Sequence, residues 1–410
     1  MAEKLLIKNF GPINLIDLDI KKITIVIGEN ATGKSTVAKL LAICRYFSYV
    51  VKTEYTIYDM AVNDDDGAHF FNGLASRGLI EYIKEDSYIK YENEDYSFEV
   101  RFVFPEKSVL KEDEQFGFYK YQSIQTYIKL NTKSIVFSEL LNELGKIMPE
   151  DKAERVAWTI PTSFFQNDVA SVLENSLFIP IERTLQSLFS LGKGSMRNIG
   201  DSLFNDLANL DAISKNFSGV IPIEPLNISY TNENGRSLIK KNHELEFYSL
   251  LNGASGYKSA LPIILSIKYY NEIRKKRKII LIEEAEMNLH PSTQRELINF
   301  LVQSIVNYNN QIFITTHSPY ILTSLNNLIY AYQLGKQNAQ EANKIISKNY
   351  WINPNDVSCY LLLSNGTCEE IFDREESLIK AELIDEVSSK INKEFNELIN
   401  IELGISDEKN

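Results

Sequence analysis

Eight residues, Gly28-Glu29-Asn30-Ala31-Thr32-Gly33-Lys34-Ser35, have the types and the spacing to hold the phosphates of a nucleotide. They match G-x-x-x-x-G-K-[ST] in full. Gly28 and Gly33 let the backbone bend and approach an anion closely. The amides of Asn30, Ala31, Thr32 and Thr36, in the loop and first helical turn, are expected to face the phosphates, helped by the helix dipole. Lys34 supplies a mobile positive charge for β- and γ-phosphates, and Ser35 a hydroxyl for Mg²⁺. A second set lies far downstream. Glu283 and Glu284 follow four apolar residues, Ile279-Ile280-Leu281-Ile282. Adjacent carboxylates at the end of a buried strand are costly unless cations meet them, and a magnesium ion with a polarised water would do so. His317 follows the run Gln311–Thr316, which reads as a strand of the same sheet, so it is expected at the same edge.

These groups need a scaffold. Ile23–Ile27 is a β-branched apolar run and reads as a buried parallel strand; Thr36–Val51 reads as a mostly buried helix. Strand, glycine loop and helix are the context that makes the pattern a phosphate site. Leu5–Phe10 and Ile13–Ile20 read as strands joined at Gly11-Pro12, forming a small antiparallel sheet beside the nucleotide core. Ile221–Tyr230 and Arg236–Phe247 read as strands around Asn232–Gly235, followed by a long apolar helix, Ala260–Ile273. Pro291 opens an amphipathic helix, Ser292–Tyr308. Leu328–Gly335 and Val357–Leu363 read as strands, and Asn365-Gly366 turns into Thr367–Phe372 as a hairpin. Ser377–Asn400 carries an apolar stripe at helical spacing, suited to the core or to a partner.

Between about Tyr55 and Asn175 the pattern changes. Asn63–Gly67 reads as a loop, Ser87–Phe104 as a hairpin, Leu110–Gln115 as polar, and Phe137–Glu174 as helical in pieces. With no sustained heptads it is not a coiled-coil arm, and it reads as an insertion or lid. Its tyrosines (Tyr82, Tyr88, Tyr91, Tyr96, Tyr119, Tyr121) are either hairpin faces or a base-stacking surface. Three charged features also have two readings. Glu182-Arg183, just past an apolar run, either faces a site or closes a strand-end ion pair. Gly192–Arg197 is a plain loop or a phosphate contact, and Arg274–Lys278 a solvated helix end or a DNA or partner contact.

Composition bounds the rest. The 410 residues suffice for one large domain with insertions or for two to three domains. A net charge of −12 argues against a nucleic-acid-coating protein, so DNA contact would need a local basic patch. Three cysteines and four scattered histidines show no metal-ligand spacing, as suits a reducing cytoplasm. No apolar run approaches the roughly 20 residues of a membrane span, and the chain opens directly in a strand pattern without a signal peptide.

The order of these parts resembles the ABC-class ATPases of the SMC/RecF/OLD branch. The residues that carry the resemblance are NFGPINLIDLDI (Asn9–Ile20), GENATGKST (Gly28–Thr36), FIPIER (Phe178–Arg183), ASGYKSALPI (Ala254–Ile263), LIEEAEMNLHP (Leu281–Pro291) and ITTHSPY (Ile314–Tyr320). The chain is most similar to the stand-alone bacterial AAA-family ATPases of anti-phage systems, such as the OLD nucleases and the Septu and PARIS ATPases. The resemblance implies an α/β fold: an ABC-type, RecA-like P-loop head with an antiparallel β subdomain and a mixed α+β insertion. It implies a head split between residues 1–54 and 176–372, an insertion over 55–175, and a C-terminal helix over 373–410. The implied cofactors are ATP and Mg²⁺. Lys34 and Ser35 then match the phosphate lysine and the magnesium hydroxyl, and Glu283 the metal acid, where Asp is common. Glu284 matches the carboxylate that orients and polarises water, and His317 the switch histidine that senses the γ-phosphate. Ser255 and Gly256 match a signature motif that contacts ATP held by a second subunit, although it reads SGYK here and not SGGQ. That implies a homodimer or higher assembly with shared sites. No TOPRIM-like acidic cluster is visible after His317, so effector activity is expected from a separate protein. The alternative is a RecF/SMC-like DNA-binding repair ATPase; the intact Glu284 argues against a scaffold with a dead site.

Overall fold

The computed structural model describes residues 3–53, 66–94, 96–103, 125–132, 176–191 and 201–380, with two isolated positions at 393 and 395. The N-terminal strands β1 (Glu3–Phe10) and β2 (Ile13–Ile20) pair antiparallel, and β3 (Ile23–Gly28) leads through the glycine loop into helix α1 (Lys34–Thr53). Helix α2 (Asp66–Ser76) follows, and then strands β4 (Tyr88–Glu92), β5 (Tyr96–Val103) and β6 (Gln125–Thr132). These three extend the sheet of the first two, in the order β2-β1-β4-β5-β6. Part of the stretch expected as an insertion is thus hydrogen-bonded to the N-terminal sheet, through β4 on β1.

The second half builds the central sheet. Strand β7 (Leu177–Ile179) runs into a 3₁₀ segment, Ile181–Leu191, and helix α3 (Asp201–Ser214) follows. A small antiparallel sheet, β8 (Ile221–Ile223), β9 (Ile228–Glu233), β10 (Arg236–Lys241) and β11 (Tyr248–Ser249), precedes helix α4 (Ser255–Lys268). Then come β12 (Ile279–Ile282), helix α5 (Pro291–Tyr308), β13 (Gln311–Thr316), helix α6 (Pro319–Gly335), β14 (Val357–Leu362) and β15 (Cys368–Glu370). The central order is β15-β14-β3-β13-β12-β7, parallel except at β15. Its five parallel strands are buried almost throughout, which is why they read as largely apolar runs, whereas the edge strand β15 is not.

Side-chain alternation along these strands separates two cores. Val26, Phe178, Leu281 and Phe313 join α1 and the antiparallel sheet on one face. Ile25, Ile179, Ile280, Ile282, Ile312 and Ile314 pack with α4, α5 and α6 on the other.

Several expectations change. Leu328–Gly335 is not a strand but the end of α6. Its buried residues, Ile321, Leu322, Leu325, Leu328 and Ile329, repeat at the helical period, and Ser318 caps the start by accepting from Tyr320 N–H. The stripe expected as a helix from Ser377 opens instead with a short strand, β17 (Leu378–Ile379), paired to β16 (Phe372–Asp373). Its continuation beyond Lys380 lies almost wholly outside the described residues. Ile221–Tyr230 is broken by Asn227 in the left-handed region (φ 51°), and the following strand stops at Lys241. Asp66 and Gly67, expected in a loop, begin α2. Tyr91 is buried in the core; Tyr119, Tyr121, Leu110–Gln115, Phe137–Glu174 and Gly192–Arg197 lie outside the described residues. In the basic run Lys278 is buried over the Tyr270 ring, while Arg274, Lys275 and Lys276 are exposed.

Candidate functional site

Strands β3, β13 and β12 are adjacent and in parallel register, so their carboxyl ends arrive together. Each delivers one part of the site: the glycine loop from β3, His317 from β13, Glu283 and Glu284 from β12. This is the edge where open α/β sheets bind ligands.

The glycine loop turns through two left-handed residues, Ala31 (φ 63°) and Gly33 (φ 100°). Left-handed residues in such a loop suit a concavity of backbone amides that can receive an anion. At Gly33 a Cβ would stand 3.1 Å from Ile13 Cγ1, so the turn between β1 and β2 braces the loop from behind. Thr32 closes it by donating to Glu29 O at 2.9 Å. The Lys34 ammonium donates to Gly28 O at 2.9 Å and Glu29 O at 2.7 Å. Burial lowers its pKa to about 8, against the opposing pull of Glu284 and Glu286. ATP affinity is therefore expected to fall as pH rises through about 8, since the neutral amine brings no charge to the phosphates. Bound phosphate raises the lysine again, so binding above about pH 8 should take up a proton. Titration calorimetry in buffers of different ionisation heat checks this; constant affinity between about pH 7 and about pH 9 would refute it.

The two acids are treated differently. Glu283 is buried, with 1% exposure. Burial raises its pKa, opposed by the Lys39 charge and by hydrogen bonds from Ile181 N–H and the Ser35 hydroxyl. Its Oε2 accepts from Ile181 N–H at 3.2 Å, whereas its Oε1 is buried with no hydrogen-bond partner. An orphaned carboxylate oxygen beside a serine hydroxyl fits Mg²⁺, which takes one or two protein ligands and completes its shell with water and phosphate. Ser35 and Glu283 would be the residues to hold such an ion. Glu284 is half-exposed and adopts φ 43°, a conformation that costs a non-glycine residue about 1–3 kcal/mol. Its carboxylate lies 3.4 Å from His317 Nε2.

Two residues that the sequence did not single out complete the arrangement. Thr315 Oγ1 accepts the Glu284 N–H at 3.1 Å. Glu286 Oε1 accepts the His317 N–H, and its Oε2 is buried without a partner. The only sequence signals were a threonine inside an apolar strand and a third acid two residues past the pair. Of the two readings of Arg183, the structure favours the one that turns it toward the site: its hydrogen bonds go to one serine hydroxyl and to backbone carbonyls, those of Glu283 and Glu284 among them, and none goes to a carboxylate.

Ser255 and Gly256 stand apart from this cluster. They begin α4 and line a groove with Asn288, Leu289, His290 and Tyr320, to which no glycine-loop residue contributes. A Cβ on Gly256 would meet Asn288 O at 2.9 Å, so only glycine lets the helix start sit against that loop. The groove is tied to the His317 loop through Gln294, which donates to Leu289 O and accepts from the Ser318 hydroxyl at 2.6 Å. Among the described residues no helix is long and apolar enough to cross a membrane.

Comparison with known proteins follows the same lines. A family model described as an AAA ATPase domain matches residues 80–322, more than half of the chain. The matched stretch holds Ser255, Gly256, Glu283, Glu284 and His317, and begins after the glycine loop. Solved structures that resemble the chain include the SMC head domain from Thermotoga maritima, at 12% identity and a TM-score of 0.38, covering 90% of this chain and 98% of that one. Another is the Smc head with an extended coiled coil, bound to the C-terminal domain of ScpA from Pyrococcus furiosus. It has 12% identity and a TM-score of 0.43, covering 94% of this chain and 99% of that one. The recombination mediator protein RecF has 11% identity and a TM-score of 0.37, with 90% and 98% covered. A search of curated proteins finds no match. The fold is α/β, a largely parallel central sheet that carries the P-loop with an antiparallel β sheet beside it, and the chain belongs to the AAA ATPase domain family of ATP-hydrolysing proteins.

Proposed function

We propose that this protein is a regulatory ATPase whose sites are completed by head-to-tail pairing of two protomers, and that it controls a separate effector in bacterial anti-phage defence. In this reading residues 1–54 and 176–372 carry the ATPase head, 55–175 an insertion, and 373–410 a core or partner contact. Gly28, Asn30, Ala31, Thr32, Gly33, Lys34 and Thr36 cradle the phosphates. Ser35 and Glu283 hold Mg²⁺, which offsets phosphate charge. Glu284 orients and polarises the attacking water, and His317 senses the γ-phosphate. Ser255 and Gly256 of the other protomer close the site.

One observation carries the shared site. Ser255 and Gly256 sit at the start of a helix, on a groove that no glycine-loop residue of the same chain lines. Amides at a helix start suit an anion, and a second copy is what would bring one there. The test mixes two inactive variants, Glu284→Gln and Ser255→Arg. In a head-to-tail pair, one of the two sites of each mixed dimer is wholly intact. Mixing should restore about a quarter of the unmodified rate, since half of the dimers are mixed. A mixture as inactive as its parts would overturn the shared site.

The second reading, a DNA-binding repair ATPase, is favoured by exposed Arg274, Lys275 and Lys276 and opposed by the net charge of −12. ATP-dependent DNA binding that weakens steeply with salt would select it.

A further inference from the structure

Arg183 follows β7 and is fully buried. Its guanidinium has five N–H donors, and five hydrogen bonds take them up. Nε donates to Ser259 O at 2.9 Å. Nη1 donates to Pro180 O at 3.2 Å and Glu283 O at 2.6 Å. Nη2 donates to the Ser259 hydroxyl at 3.0 Å and Glu284 O at 2.6 Å. None of these acceptors is a carboxylate. The cation therefore holds main chain from three elements: the end of β7, the end of β12, and α4.

Two further facts show what is held. Glu284 sits in the left-handed region, where a side-chain-bearing residue persists only under constraint. Its N–H is fixed by Thr315 and its carbonyl by Arg183, so both flanking peptides are anchored. Ser259 lies one turn after Ser255 on α4, which places both on one face of that helix.

We propose that Arg183 is a positioning residue: it holds the Glu284 backbone in its strained form and joins it to the helix that begins at Ser255. Contact made at Ser255 is thereby transmitted to the carboxylate that acts on water. The inference rests on the reading of Glu284 as that carboxylate. Lysine cannot replace the part, because a single ammonium cannot span five acceptors in a planar fork.

The test compares steady-state ATP hydrolysis, ATP affinity and thermal melting for Arg183→Lys and Ser259→Ala. Arg183→Lys should lower kcat by about 10²-fold, the effect of misplacing a catalytic group by about 1 Å. ATP affinity should stay within about threefold, because the glycine loop is untouched. Ser259→Ala removes one acceptor of five and should lower kcat by about three- to tenfold. Adding Arg183→Lys to Glu284→Gln should produce no further loss, since the two act through one group. A folded Arg183→Lys protein with unchanged kcat overturns the proposal, as does a parallel loss of kcat and ATP affinity. If Arg183→Lys does not fold, unchanged turnover in Ser259→Ala overturns it. Where Glu284→Gln itself remains active, the reading of the site has failed; where only Arg183→Lys remains active, the positioning role alone has failed.

Discussion

Glu284→Gln is expected to lower ATP hydrolysis by about 10²–10⁴-fold while ATP binding survives. The substitution keeps shape and hydrogen bonding but removes the negative charge and the capacity to take a proton. The Lys34 hydrogen bonds to Gly28 O and Glu29 O do not involve the carboxylate, and although the Lys34 cation loses the support of the Glu284 charge, Glu286 and the bound phosphates still favour it. The backbone bonds that hold residue 284 also persist, since Thr315 and Arg183 grip main-chain atoms. Single-turnover hydrolysis measured beside equilibrium ATP binding separates the two effects. Undiminished turnover would remove Glu284 from the chemistry; binding lost together with turnover would make it a ligand-holding residue.

The largest stability effect is expected away from the site. Glu3 and Arg45 form a buried bidentate pair, with Nε to Oε1 at 2.7 Å and Nη2 to Oε2 at 2.6 Å. Tyr91 OH donates to Oε1 at 2.8 Å and Gln311 Nε2 to Oε2 at 3.1 Å. The cluster joins β1, α1, β4 and β13, so it links the antiparallel sheet to both the helix after the glycine loop and the strand that delivers His317. Arg45→Met strands a buried carboxylate and is expected to cost about 3–5 kcal/mol, read from the urea midpoint. Pairing it with Glu3→Leu should recover part of that loss, because no charge is then left without its partner. A shift below about 1 kcal/mol for Arg45→Met would mean that water reaches the pair.

The pH dependence of this contribution has a definite sign. Burial pushes the Glu3 carboxyl up, but the Arg45 charge and the three donors together outweigh burial and hold it below its usual value of 4.5. A depressed folded pKa adds stability that is complete above the unfolded value. It is lost as pH falls from about 4.5 through the folded pKa. Acid titration of the melting temperature should therefore show a fall in that window that is absent from the Glu3→Leu, Arg45→Met protein.

What the sequence by itself determined is local. The loop Gly28–Ser35 must bend where glycine permits and must follow a buried strand, so pattern and context lie within about twenty residues. Ile279–Ile282 and Gln311–Thr316 are identifiable because strands covered on both faces have no polar alternation to disguise them. The Glu pair and His317 were legible for the same reason, as polar residues abutting such runs. Only the tertiary structure decided the strand order, which sets β3 between β13 and β14 from distant parts of the chain and has no local signature. It decided that β4 extends the N-terminal sheet, and that Leu328–Gly335 is helix, since a short apolar run fits a buried strand and a buried helix equally well. It also decided the partners of Arg183, Glu286 and Glu3: a buried charge announces that it must be satisfied, but its acceptors are supplied by chain up to about three hundred residues away.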